Sequence, residues 1–126
     1  MKRLILWTSV ALCLATFLLA SGRISAAATK TNGLKRVTMV NRPGNEPWAY
    51  APKTITIRAG QRVAFVNHSS QPHTVTATGG HPAFDSGITT LIEPKHTWFH
   101  TFRRAGKFSY FCQLHPYMTG VIIVKK

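Results

Sequence analysis

The sequence predicts an all-β domain, a Greek-key sandwich or barrel of about eight short strands. Two patterns carry that expectation. No stretch holds a helical period, and short runs of Thr, Val, Ile and Phe alternate with Gly, Pro and Asn punctuation. Val37–Val40 reads as a first strand, followed by the turn-rich segment Asn41-Arg42-Pro43-Gly44-Asn45. Thr54–Arg58 alternates with Ile55 and Ile57 inward, and Ala59-Gly60-Gln61 turns into Arg62–Asn67, where Val63 and Phe65 share a face. His73–Thr78 alternates again before Gly79-Gly80-His81-Pro82. Thr97–Arg103 puts Trp98, His100 and Phe102 on one side. Ala105-Gly106 then leads into Lys107–Cys112, where Phe108, Tyr110 and Cys112 align, and Gly120–Val124 closes the set. Many short strands in about a hundred residues fit two packed antiparallel layers.

The start of the chain is different. Lys2 and Arg3 precede an apolar run from Leu4 to Ala20, then a polar break and Ala26-Ala27-Ala28. A positive stretch, an apolar stretch and a small-residue cleavage site form a secretory signal over residues 1–28, leaving residues 29–126 as one domain outside the cytoplasm. The alternative is an uncleaved anchor, since the run is at the short end of what spans a bilayer. Cleavage predicts no stable membrane insertion and a periplasmic, monomeric protein.

Cys13 leaves with the signal, so Cys112 is the one cysteine of the remaining domain and no internal disulfide can form. An unpaired thiol in an oxidising compartment needs an occupant, and a metal supplies one. The net charge is +13; removing Lys2, Arg3 and Arg23 with the signal leaves 13 basic residues against only Glu46, Asp85 and Glu93, a net of +10. That balance predicts attraction to acidic partner surfaces and salt-sensitive association. Nucleic acid is not expected as a partner, because the basic residues are scattered and no recognition module is present.

Chemistry concentrates near the C-terminus. Cys112-Gln113-Leu114-His115-Pro116-Tyr117-Met118 offers a thiolate, an imidazole and a thioether within seven residues, and His73 follows Pro72 some forty residues upstream. Cysteine, two histidines and a methionine form the donor set of a blue-copper electron-transfer site. Both prolines restrain the residue before or after them, which helps fix the two imidazoles. As rival explanations, Cys112 could be a small buried hydrophobe and Met118 a packing residue. His68 could compete with His73, His100 reads as a partly buried histidine, and His81 and His96 as solvated ones. Asn67 is either a clamp reaching the cysteine loop or a plain loop residue. A catalytic zinc site also uses Cys and two His, but it needs a general base, and no carboxylate sits beside a candidate ligand. No substrate chemistry is apparent, so the chain is not expected to be an enzyme.

With these residues in view, the chain resembles the cupredoxins, in particular the plastocyanin/amicyanin branch, over about Thr54–Val124. The matching pieces are Ala59-Gly60, Val66-Asn67, Pro72-His73, Phe84-Asp85-Ser86-Gly87, Ala105-Gly106, Tyr110-Phe111-Cys112 and the compact ligand loop. The resemblance implies an eight-stranded Greek-key sandwich holding one copper ion, with His73, Cys112 and His115 equatorial and Met118 axial. It also implies one-electron shuttling between a donor and an acceptor redox protein, and a position for Asn67 that ties the ligand loops together. Leu114 departs from the pattern, standing where proline usually precedes the loop histidine. A copper chaperone or store with the same ligands is the alternative expectation.

Overall fold

The computed structural model describes residues 33–80 and 82–126. The expected signal segment (residues 1–28), Cys13 and His81 therefore lie outside the described residues. Eight strands form: β1 Lys35–Asn41, β2 Trp48–Ala51, β3 Thr54–Arg58, β4 Gln61–Asn67, β5 Thr76–Ala77, β6 Thr97–Phe102, β7 Gly106–Phe111 and β8 Thr119–Lys125. They make two four-stranded sheets in the orders β2-β1-β4-β6 and β3-β8-β7-β5. The pairs β1–β4 and β3–β8 are parallel and the rest antiparallel. Among the described residues there is no helix.

The alternation read from the sequence sets which side chains meet between the sheets. Val37 and Met39, Val63 and Phe65, Tyr110, Ile122 and Val124 are all buried in one core. Removing each of these side chains from water contributes about 1.5–3 kcal/mol. Trp98, His100 and Phe102 do share a face, closed by Phe84, whose ring centroid lies 5.0 Å from that of His100 and 5.1 Å from that of Phe102. Gly120 is required where it stands, because a Cβ there would overlap the Tyr110 ring.

Two elements differ from expectation. Trp48–Ala51 is a strand, antiparallel to β1, that its brief length between Pro47 and Pro52 concealed. The expected strand His73–Thr78 narrows to Thr76–Ala77 plus a bridge between His73 and Ile92. The reason lies in where its amides go: Thr74 donates to the Cys112 sulfur and Val75 to the Ser86 hydroxyl, so neither enters a ladder.

Parallel and antiparallel registers together give the sandwich two distinct ends. Asn67, the start of β8 and the end of β7 lie at one; Gln61, Phe102 and Lys125 lie at the other. The chemically informative residues gather at the first.

Candidate metal centre

Cys112 follows the last residue of β7 and its side chain is fully buried. The loop after it closes on itself: the Met118 amide donates to the His115 carbonyl at 2.8 Å and the Cys112 amide to the Met118 carbonyl at 3.0 Å. Pro116 falls inside this turn, where its missing N–H is no loss. His73 lies on the segment between β4 and β5, pinned by reciprocal backbone bonds with Ile92 at 3.2 and 2.9 Å. A local seven-residue loop and a distant segment thus meet at one end of a rigid scaffold.

The donor atoms converge. Nδ1 of His73 and Nδ1 of His115 are 3.1 Å apart, and Sγ of Cys112 is 3.8 and 3.7 Å from them. The point equidistant from these three atoms is about 2.1 Å from each, a metal–nitrogen or metal–sulfur bond length. The protein has arranged three donors around a space of one ion's size.

Protonation agrees with that reading. Burial, followed by the charge of His115, pushes His73 down to about 4, and burial also lowers His115. Both imidazoles are therefore neutral at ordinary pH, the form that binds metal. Ser69 settles which nitrogen of His73 is free. Its hydroxyl lies 2.7 Å from His73 Nε2, and its single proton goes to Asn67 Oδ1 at 2.8 Å or the Gln71 carbonyl at 3.0 Å. With its proton so placed, Ser69 Oγ accepts from Nε2–H, the tautomer that leaves the Nδ1 lone pair aimed at the other donors.

Asn67 does not reach the cysteine loop. Its amide donates to the carbonyls of Gln71 and Ile92, both at 2.7 Å, and its oxygen accepts from the Ser69 amide and hydroxyl. It shapes the His73 loop, as a loop residue would, and the cross-tie belongs to Thr74. The Thr74 amide donates to the Cys112 sulfur at 3.3 Å, and its hydroxyl accepts the Gln113 amide at 2.8 Å. The Tyr50 hydroxyl donates to the Thr74 carbonyl. Further out, the Gln113 side-chain amide donates to Thr76 Oγ1 at 2.8 Å and to Asp85 at 3.2 Å, while Asp85 also accepts from Thr76 and the Gly87 amide. Sequence reasoning missed Ser69, Thr74 and Asp85; the one available sign was a threonine directly after His73.

Met118 is buried at the same end, on the last turn of the loop before β8. Trp48 lies against His115 with ring centroids 4.3 Å apart. Leu114 is 41% exposed beside it. His68 and His96 are exposed and stand outside the donor cluster, and His100 stacks on Trp98 within the aromatic set. No carboxylate or second cysteine joins His73, Cys112 and His115 among the described residues. An all nitrogen-and-sulfur donor set suits copper, which is the metal of this site.

Comparison with known proteins agrees. Amicyanin of Paracoccus versutus is 34% identical over 82 residues, which are 65% of this chain and 62% of that protein; the match therefore spans under two thirds of the relative. The crystal structure of amicyanin from Paracoccus versutus superposes with a TM-score of 0.60 at 27% identity, over 73% of this chain and 81% of that one. A copper-containing nitrite reductase from Thermus scotoductus also superposes, with a TM-score of 0.60 at 27% identity, over 75% of this chain but 23% of the reductase. The Cupredoxin-like domain family matches residues 9–124. With that match, the two-sheet sandwich and the converged donors, the chain belongs to the cupredoxin-like family.

Proposed function

We propose that the protein is a periplasmic blue-copper carrier of single electrons, with His73, Cys112 and His115 as equatorial ligands and Met118 as the axial one. The observation that carries this is the donor triangle, braced by hydrogen bonds between the segment leading into β5 and the loop after β7. Bound copper supplies a one-electron couple between its two oxidation states. The chain's contribution is rigidity: Ser69 orients His73, Thr74 braces the thiolate and Gln113, and the closed loop fixes His115. Ligands that cannot move between states keep reorganisation small, which favours fast exchange. His115 is the half-buried ligand, next to exposed Leu114 and Pro116, and forms the expected point of electron entry and exit.

A chaperone or store must release its metal. Fully buried Cys112 and His73 speak against that and for a carrier. The nitrite reductase indicates that such a domain also occurs within a larger enzyme, of which this chain covers only 23%. With no carboxylate joining the donors among the described residues, we read this chain as a monomeric carrier and not as an enzyme. Residues 1–28 act as its export signal and 29–126 as the working domain. Its partners are a donor and an acceptor redox protein, and any acidic patches they present lie outside the contact with His115, for reasons of charge placement given below.

The test is optical. Copper-loaded protein should show an intense visible thiolate-to-copper band that Cys112→Ser abolishes. A colourless holo-protein, or a band that survives the substitution, ends this reading.

A further inference from the structure

The positive charge is not spread evenly. Arg42, Lys53 and Lys95 belong to the metal end, together with all three carboxylates: Glu46 in the β1–β2 loop, Asp85 on Gln113, and Glu93 beside Ile92. That end is close to neutral. Registers place the rest elsewhere. Arg58 pairs with Lys125 at the ends of β3 and β8, and the Ala59 amide is bound to the Lys125 carbonyl. Arg103 and Arg104 form the turn from β6 to β7, Lys107 follows it, and Arg62 pairs with Thr101. Lys35 shares a shallow depression of about 490 Å³ with Arg58 and Lys125. Lys126 adds one more charge. All are exposed, no aspartate or glutamate stands among them in the described residues, and Arg36 lies at mid-strand.

We infer that this basic end is a docking surface for an anionic lipid bilayer, which it grips while the copper end faces away. Two independent observations favour lipid as the occupant. Gly33 and Leu34, the latter 50% exposed, also line the depression, so the chain preceding them, with its apolar Leu4–Ala20 run, is joined to the domain at this end. A retained segment tethers the domain to a membrane by this end, and a cleaved one leaves the cations as its means of attachment. Second, among the described residues just two exposed large apolar side chains stand with these cations, Leu34 and Phe99, the latter under Arg62, while Ile88 and Leu114 lie towards the metal end. A specific protein interface needs an apolar core, whereas diffuse lipid charge needs only a cluster of cations. None of these cations is a candidate copper ligand, so the basic end and the metal centre are independent.

The experiment is flotation of the copper-loaded protein, as its host processes it, with vesicles of phosphatidylcholine alone or mixed with phosphatidylglycerol. Binding is expected on the mixed vesicles alone and should fade as salt shortens the Debye length below about 10 Å. Each basic residue near the surface is worth roughly fivefold in partitioning, so Arg58→Glu/Arg104→Glu/Lys125→Glu should weaken binding about a hundredfold or more. Arg42→Glu/Lys53→Glu/Lys95→Glu, with the same change in charge at the other end, should weaken it far less. Both triple variants should keep the visible band of the parent, which separates failure here from failure of the copper reading. Equal losses in the two variants would overturn the placement. Salt-independent binding to both vesicle types would assign the interaction to a retained apolar segment. Equally tight binding to soluble polyglutamate would assign the surface to acidic proteins.

Discussion

Ser69→Ala isolates the residue that sets the orientation of His73. The substitution leaves the Nε2–H of a fully buried imidazole without an acceptor and takes one of two donors from Asn67 Oδ1. An unsatisfied buried polar group costs about 1–3 kcal/mol, so the metal-free protein should lose that much stability. The copper-loaded protein should lose more. With Nε2–H unheld, the ring can turn or change tautomer, and losing such a partner typically lowers metal affinity 10–100-fold, or about 1.4–2.7 kcal/mol. Urea unfolding of both forms separates the effects, because linkage makes the extra loss in the loaded form equal to the loss in binding free energy. A chelator competition on the same variant should return the same figure. If copper affinity changes by less than twofold while both forms lose equal stability, Ser69 merely fills space and the tautomer argument is wrong.

Other perturbations have equally definite outcomes. Thr74→Val keeps the shape and the amide bond to sulfur but deprives the Gln113 amide of its acceptor; urea unfolding should show a loss of about 1–2 kcal/mol, with Thr74→Ser restoring it. Gly120→Ala drives a methyl group into the Tyr110 ring and should cost about 1–3 kcal/mol in thermal unfolding. In the metal-free protein, His73 at about 4 is harder to protonate when folded than when unfolded, where it titrates near 6.5. Its contribution is therefore present above about pH 6.5 and is lost as pH falls towards 4, by about 3 kcal/mol in full. Denaturant midpoints across that window should fall steeply without copper and at least as steeply with it, because bound metal keeps His73 unprotonated in the folded state alone.

How much of this was legible in sequence follows from distance along the chain. Cys112, His115 and Met118 sit in one short loop, so their spacing alone defines a donor group, and Pro72 marks His73. The sheets were legible because burial alternates with period two in β3, β7 and β8, and in β4 apart from the buried Ala64. Thr74 and Gln113 are 39 residues apart, and their contact exists only once β5 lies beside β7. Asn67 drew attention as an amide near the site, yet its four bonds all stay on its own loop or reach Ile92. The contrast in charge between the two ends was likewise hidden. Arg58 and Lys125, or Arg62 and the Arg103–Arg104 turn, become neighbours only through strand register.

Thr74 contacts the sulfur through its main chain and the adjoining turn through its side chain. The two influences are separable, since exchanging the side chain leaves the amide in place. Natural or engineered variation at this one codon could therefore retune how firmly the oxidised centre is favoured, with every ligand kept.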